Sequence, residues 1–206
     1  MENTINEDGK WTVLSSEYLI RRPWLTARRD VAQLPDGRIN HEYYVLEYPD
    51  WVNIIAITEE GEVILERQYR HGLGNTCYEL PCGVIEAGET PLQAAQRELL
   101  EETGFAGGEW RHLMDLSPNP ATSNNMAHSF VATGVRRVAG QSLDSTEDIS
   151  VHLVSQDFVK ELLLGNQILQ ALMAAPLFRY FFISSALPPA SDKETVGKAK
   201  NTVEPN

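Results

Sequence analysis

The sequence is poor in cysteine and in positive charge. Its 206 residues include two cysteines, Cys77 and Cys82, which are too few for the disulfide framework of a small secreted domain. Lysine and arginine number 17 against 29 aspartates and glutamates, so the formal net charge is −12. This balance argues against a general nucleic-acid-binding surface and against binding to anionic membranes. An anionic substrate would therefore depend on a metal ion and on a few well-placed arginines.

Long apolar runs and clustered histidines are also missing. The longest apolar stretch, residues 168–187, is interrupted by Gln170, Pro176 and Arg179, so we expect no membrane span. The first ten residues are polar and acidic, so we expect no signal peptide. The five histidines lie far apart in the sequence and lack the spacing of a zinc site. These features predict a cytoplasmic protein with neither a membrane nor a nucleic-acid partner.

The segment at residues 83–105, GVIEAGETPLQAAQRELLEETGF, contains the most informative pattern. Glu98, Glu101 and Glu102 are spaced so that, on a helix, they share one face within a single turn. Like charges at this spacing repel, and each i,i+4 pair costs an isolated helix about 0.2–0.5 kcal/mol. A hard divalent cation with oxygen ligands, such as Mg²⁺ or Mn²⁺ next to phosphate groups, offsets that repulsion. The pattern therefore predicts a metal-dependent hydrolase that acts on a phosphate compound.

The same segment carries the signals of a short, well-defined helix. Thr90 is a suitable N-cap, Pro91 suits the first helical position, and Gln93 completes a capping box with Thr90. Gly104 stands where a glycine in the left-handed conformation ends a helix. The predicted packing stripe consists of Leu92, Ala95 and Leu99.

This segment resembles the signature of the Nudix hydrolase family, Gly-x(5)-Glu-x(7)-Arg-Glu-U-x-Glu-Glu-x-Gly-U, in which U is a bulky apolar residue. Every position from Gly83 to Phe105 fits that pattern. The resemblance implies that Glu98 and Glu102 are the principal ligands of Mg²⁺ or Mn²⁺. It implies that Glu101 is a further ligand or a residue that supports the ligands.

The resemblance also implies roles for residues next to these glutamates. The main-chain carbonyl of Cys82 takes the place of a backbone metal ligand in similar enzymes. Arg97 is expected to orient the catalytic glutamates through charge-assisted hydrogen bonds. Glu89 has the same expected role, or else it stabilises the N-terminus of the helix.

Two further stretches resemble the branch of the family that hydrolyses ADP-ribose. Residues 67–70 resemble its Gln-(Phe/Tyr)-Arg segment, which implies that Arg70 contacts the diphosphate. Residues 79–83 resemble its Glu-(Leu/Phe)-Pro-Ala-Gly segment, with cysteine in place of alanine. On this resemblance Glu79 is expected to bind the substrate.

The remaining candidate residues are a catalytic base and an aromatic platform. Residues 146–149 resemble the loop that supplies a catalytic glutamate to the branch, so Glu147 is the expected base that deprotonates the attacking water. Trp51 follows a turn and is the predicted platform for the nucleobase. The alternative platforms are Trp24, Tyr44 and Tyr69.

The chain as a whole predicts a mixed α/β (α+β) fold. Turn signals separate predicted strands at residues 11–19, 24–34, 41–48, 52–57, 62–69, 110–116, 127–133 and 149–154 from predicted helices at 156–164 and 167–182. The resemblance implies an α/β/α sandwich with a mixed sheet over residues 41–187. Residues 1–40 are expected to form an antiparallel β region, which in related ADP-ribose pyrophosphatases is often exchanged between the subunits of a dimer. Residues 188–206 predict a disordered tail.

The resemblance implies a metal-dependent pyrophosphohydrolase that forms a homodimer. The expected reaction cleaves ADP-ribose, or a similar nucleoside diphosphate sugar, to a nucleoside monophosphate and a sugar phosphate. GDP-mannose or another sugar nucleotide is the nearest alternative substrate, and the acidic composition fits a capped RNA or a dinucleoside polyphosphate less well. A different class of function is a non-catalytic ADP-ribose-sensing module. Such a module would allow loss of the acidic residues, but Glu98, Glu101 and Glu102 are all present.

Overall fold

The structure, a computed structural model, describes residues 9–183 of the chain. Its first three strands are β1 (Thr12–Arg22), β2 (Leu25–Gln33) and β3 (Ile39–Glu47), which form a separate antiparallel sheet in chain order. The expected N-terminal β region is therefore present, although it includes β3 and ends at Glu47 rather than at residue 40. The tail predicted for residues 188–206 lies outside the described residues.

A seven-stranded mixed sheet forms the centre of the molecule. Its strands are β4 (Trp51–Thr58), β5 (Val63–Arg70), β6 (Asn75–Glu79), β7 (Cys82–Val84), β8 (Phe105–Leu116), β9 (Ala127–Arg137) and β10 (Ile149–Val154). The main order is β10-β5-β4-β9-β8, with β6 beside β5 and β7 beside β4. Strands β4 and β9 are parallel, whereas the other pairs are antiparallel. The short strands β6 and β7 were not predicted from the sequence.

Helices cover both faces of this sheet. Helix α1 (Pro91–Thr103) buries alanines and a leucine against one face, in a core that contains Val52, Ile54 and Phe130. Helices α2 (Gln156–Leu164) and α3 (Ala171–Phe178) pack on the other face, and a π-helical turn (Arg179–Ile183) follows α3. The predicted α/β/α sandwich is confirmed.

The ends of α1 follow the sequence prediction closely. Thr90 Oγ1 accepts a hydrogen bond from the Gln93 N–H at 3.3 Å, and Gln93 Oε1 accepts one from the Thr90 N–H at 2.9 Å. Gly104 ends the helix with φ of 77°. The predicted packing stripe was partly wrong, because Leu92 is 38% exposed and Ala94 is buried in its place.

Helix α3 is shorter than predicted, since it begins at Ala171 and not at residue 167. It contains Pro176, which has no N–H to donate to the carbonyl of Leu172, four residues earlier. The side-chain amide of Asn53 donates a hydrogen bond to that carbonyl at 2.9 Å. The proline therefore frees an acceptor through which β4 holds the start of α3.

The structure also bears on the two cysteines and on the expected absence of a membrane span. Cys77 and Cys82 are both free thiols. Among residues 9–183, none of the helices is both long enough and apolar enough to cross a membrane.

Replacing Gly104 by alanine is expected to destabilise the protein more than the same change at Gly134. Both glycines have positive φ, 77° and 74°, which costs a residue with a side chain about 1–2 kcal/mol. At Gly104 a Cβ atom would also lie 2.3 Å from the carbonyl oxygen of Ala139, whereas at Gly134 it would meet nothing within 4 Å. Urea unfolding of the two variants measures the difference. Equal losses of stability would show that the contact with Ala139 does not constrain this position.

Candidate active site

A cavity of about 730 Å³ lies where α1, the start of α3 and the segment between β9 and β10 approach the central sheet. It collects side chains that are far apart in the sequence. Eight of the nine predicted site residues line it, namely Trp51, Arg70, Cys82, Arg97, Glu98, Glu101, Glu102 and Glu147. Glu79 is the ninth, and it does not line the cavity.

The first glycine of the signature allows α1 to pack closely against β7. A Cβ atom at Gly83 would lie 2.0 Å from Oε1 of Glu98, far inside any van der Waals contact. A side chain at position 83 would therefore displace the Glu98 carboxylate. With glycine there, Glu98 lies against the β7 backbone and is only 8% exposed.

Glu102 lies one helical turn beyond Glu98 and contacts the same strand. It is 4% exposed, and its Oε2 accepts a hydrogen bond from the main-chain N–H of Cys82 at 2.8 Å. Glu101 lies between them in sequence and is more exposed to the cavity opening. The three predicted metal-binding glutamates and the main chain of Cys82 are thus brought together in one place.

Burial raises the pKa of the two inner carboxyls. For Glu98, burial raises the pKa to about 7, even though a hydrogen bond from Arg97 acts in the opposite direction. For Glu102, burial and then the negative charge of Glu66 raise the pKa to about 10. Without a cation, these carboxyls therefore tend to keep their protons near neutral pH.

Arg97 holds the acidic side chains in position. Its Nε and Nη2 donate to the two carboxylate oxygens of Glu89 at 2.8 and 3.0 Å. Its Nη1 donates to Glu98 at 2.8 Å and to Glu101 at 3.0 Å, and Nη2 also donates to the carbonyl of Val84 at 3.0 Å. Because every nitrogen of the guanidinium is engaged, this geometry supports the predicted orienting role and leaves little capacity for substrate.

The exposed Arg70 and the buried Glu79 form an ion pair at the side of the cavity. Arg70 Nε donates to both oxygens of Glu79, at 2.9 and 3.1 Å, and Nη2 donates at 2.5 Å. Glu79 is buried behind Arg70, so its position does not favour direct contact with a substrate. It positions the guanidinium instead. Among the described residues, no hydrogen bond engages Nη1 of Arg70, which is free to meet a phosphate oxygen.

Glu147 reaches the cavity from the segment between β9 and β10. Its Oε2 accepts a hydrogen bond from the Asp144 N–H at 2.9 Å. The same segment is fixed to the end of α1, because the Ser142 N–H donates to the Glu101 carbonyl at 2.8 Å and Gln141 Nε2 donates to the Glu102 carbonyl at 2.7 Å. The loop therefore presents Glu147 opposite the glutamates of α1.

Two of the four aromatic candidates line the cavity. Trp51 packs against Tyr48 with ring centroids 5.8 Å apart, and Trp24 is 79% exposed in the turn between β1 and β2. Tyr44 and Tyr69 do not line it. The position of Trp51 agrees with its predicted role as a platform, and Trp24 offers a second aromatic surface in the same cavity.

The sequence prediction missed Glu66, a buried carboxyl on β5. Glu66 is 3% exposed, lies opposite Glu79 in the pairing of β5 with β6, and has an Oε1 atom without a hydrogen-bond partner among the described residues. Burial and then the charge of Glu79 raise its pKa to about 8. A sequence signal existed, since this glutamate directly follows the apolar run Val63–Leu65 of a strand, where a charge is unusual.

The donor set fits a hard divalent cation. Glu98, Glu101 and Glu102 offer only oxygen ligands, and two of these carboxylates are buried. Arg97 is shared among four carboxylate and carbonyl partners and does not balance this negative charge alone. Glu98 and Glu102 would hold the ion, with Glu101 beside them.

Comparisons with known proteins agree with this arrangement. Residues 47–167 match the NUDIX domain, and residues 11–46 match the nucleoside diphosphate sugar hydrolase N-terminal domain. The border between the two matches coincides with the end of β3.

Several curated relatives are similar over more than half of the chain. ADP-ribose pyrophosphatase of Mycobacterium tuberculosis is 37% identical over 61% of this chain and 60% of its own length. ADP-ribose pyrophosphatase of Bacillus subtilis is 28% identical over 75% of this chain and 83% of its own length. ADP-sugar pyrophosphatase of Mus musculus is 32% identical over 64% of this chain and 65% of its own length.

A solved structure shares the fold. The crystal structure of an ADP compounds hydrolase has a TM-score of 0.74 at 24% identity, and the match covers 86% of this chain and 96% of that one. The family match over residues 47–167 spans more than half of the chain and confirms the resemblance seen in the signature. The chain belongs to the Nudix hydrolase family.

Proposed function

We propose that the protein is a pyrophosphohydrolase that cleaves ADP-ribose, or a similar nucleoside diphosphate sugar, to a nucleoside monophosphate and a sugar phosphate. One observation carries this proposal. A single cavity combines the oxygen ligands of α1, the Arg70 guanidinium and the Glu147 carboxylate. These are the groups needed to neutralise a diphosphate and to activate a water molecule.

The residues divide the chemistry between them. Arg70, fixed by Glu79, offers its free Nη1 to a diphosphate oxygen. Glu147 takes the proton of the attacking water as the P–O–P bridge breaks. When bound by Glu98 and Glu102, Mg²⁺ or Mn²⁺ supplies positive charge against the phosphate oxygens and makes water more acidic. The Cys82 carbonyl is proposed as a backbone ligand of that ion.

The names of the relatives favour ADP-ribose among the alternatives. Two of them are called ADP-ribose pyrophosphatases and one an ADP-sugar pyrophosphatase. The two tryptophans that line the cavity, Trp24 and Trp51, suit a purine base of either kind. GDP-mannose therefore remains the alternative substrate to be compared directly.

We also propose that the protein is a cytoplasmic homodimer that assembles through its N-terminal sheet. Strand β1 is an edge strand and is exposed along its whole length. It nevertheless carries the large apolar side chains of Val13, Leu14, Leu19 and Ile20, and the exposed Trp11 directly precedes it. Exposed apolar edge strands pair readily with another chain, and a second copy is the partner we propose. The two free thiols agree with a reducing compartment.

The proposed function is tested with a panel of ADP-ribose, GDP-mannose and a dinucleoside polyphosphate, each with Mg²⁺ or Mn²⁺. We expect release of AMP and ribose 5-phosphate from ADP-ribose at a higher kcat/KM than release of GMP from GDP-mannose. Chromatography of the products gives both quantities. Failure to cleave any of these diphosphates with either ion would contradict the proposal.

The metal ligands are tested in the same assay with the variant Glu102→Gln, which keeps the shape of the side chain and removes its charge. We expect turnover with Mg²⁺ to fall at least about a hundredfold while the circular dichroism spectrum stays unchanged, because a ligand is lost but the packing is kept. Glu161→Gln, a change at an exposed glutamate of α2, should leave turnover as in the parent protein. Equal rates in all three proteins would exclude Glu102 as a metal ligand.

Glu147→Gln is expected to lower kcat by about a hundredfold or more and to change KM little, because the variant lacks the base but keeps the binding surface. The exposed neighbour Asp148, changed to asparagine, serves as the matched control. Steady-state kinetics with ADP-ribose separate the two parameters. A large rise in KM with kcat retained would make Glu147 a binding residue.

A further inference from the structure

A second group of metal-ligating side chains lies on the central sheet outside the cavity. Asp115 on β8 is directly opposite His128 on the neighbouring strand β9. His112 lies three residues before Asp115, and residues three apart on a regular strand point to opposite faces of a sheet. A β-bulge between His112 and Met114 shifts the register by one residue, so that His112 and Asp115 share a face.

The three side chains meet at short distances. His112 Nε2 lies 2.6 Å from Asp115 Oδ1, and His128 Nδ1 lies 2.8 Å from the same oxygen. The three ligand atoms all lie within 4.8 Å of one another. Ligand atoms of a tetrahedral zinc ion are about 3.4 Å apart, so small side-chain rotations would place all three around one ion.

Neighbouring residues hold this group in place. The His112 ring packs edge-on against Phe130, with centroids 5.5 Å apart. The Asp50 Oδ2 atom lies 3.9 Å from His128 Nε2, on the side of the ring away from Asp115. A carboxylate that accepts the far N–H is the usual partner of a metal-binding histidine, and a small rotation would bring Asp50 from 3.9 Å to hydrogen-bond distance. Asp50 is itself fixed, since its Oδ1 accepts the Met126 N–H at 2.8 Å.

The Asp115 carboxylate contacts both imidazoles of the group. Asp50 adds a second negative charge beside the group. Two negative side chains and two imidazoles therefore favour a cation at this point.

We propose that His112, Asp115 and His128 bind a divalent transition-metal ion, with Zn²⁺ as the best-fitting ion. Two imidazoles and one carboxylate are the ligands of zinc and similar ions, whereas Mg²⁺ selects oxygen ligands alone. None of the three residues is among those that line the cavity. The site is thus separate from the carboxylates of α1, and partial exposure of the group leaves room for water to complete the coordination.

The bound ion would join the two strand ends that enclose the segment between β8 and β9. That segment contacts the N-terminal sheet, since the Leu46 N–H donates to the Thr122 carbonyl at 2.7 Å and Tyr43 Oη donates to the Ala121 carbonyl at 2.6 Å. It also precedes Ala127, which lines the cavity. Zinc would therefore brace the junction between the two sheets.

The test counts zinc ions in the full chain, without a histidine tag, after removal of the other candidate site. The starting protein for this test, called the parent below, is the double variant Glu98→Gln, Glu102→Gln. Isothermal titration calorimetry of this parent with ZnCl₂ is expected to give one zinc ion per chain. Adding His128→Ala should weaken zinc binding more than about tenfold, and Asp115→Asn should weaken it as well. His152→Ala is the control, because His152 lies on β10 at the opposite edge of the same sheet.

Two results would overturn the proposal. One is a parent protein that binds no zinc, and the other is equal zinc affinity with and without His128. If the parent fails to fold, as judged by circular dichroism, the same comparison is made between wild type and His128→Ala saturated with Mg²⁺. Because the parent lacks the two buried carboxylates of α1, Glu98 and Glu102, its zinc count is independent of whether the protein hydrolyses ADP-ribose.

Discussion

Negative charge buried without an equal positive charge is the constraint on which this structure depends. Glu98, Glu102 and Glu66 are nearly inaccessible, and burial is the largest cause of the raised pKa of each. A fold has no reason to keep three such carboxyls for stability, since each favours the protonated form and each disfavours ionisation of the others. Their arrangement is understandable if a divalent cation completes the site.

Much of the surrounding structure serves to hold these carboxyls at that point. The absence of a side chain at Gly83 lets α1 approach β7, and the left-handed turn at Gly104 ends the helix directly after the ligands. Arg97 connects the loop before the helix to the helix itself. On the substrate side, Glu79 fixes Arg70 in the same way, so that both arginines are oriented before any ligand arrives.

The sequence predicted those parts that depend on local signals. The capping box at Thr90 and Gln93, the glycine stop and the spacing of the glutamates are encoded within one segment, and the structure reproduces them. What was missed depends on distant parts of the chain. Strand β7 exists only because β4 pairs with it, and Glu66 on β5 affects the pKa of Glu102 only because the fold brings these distant residues near each other. His112, Asp115 and His128 show no zinc-like spacing in the sequence. They come together only in the fold, through a β-bulge in β8 and the pairing of β8 with β9.

The most direct test of the central claim is the free energy of unfolding with and without Mg²⁺ at about pH 6 and about pH 8. The pKa values of Glu98, Glu66 and Glu102 are raised from 4.5 to about 7, 8 and 10 in the folded protein. Between pH 4.5 and the raised pKa of each carboxyl, the folded state holds more protons than the unfolded state. The free energy of unfolding in EDTA therefore falls as the pH rises. Mg²⁺ displaces these protons, so its stabilising effect should be larger at the higher pH. Stability in EDTA that does not change with pH, together with no gain from Mg²⁺, would contradict the account.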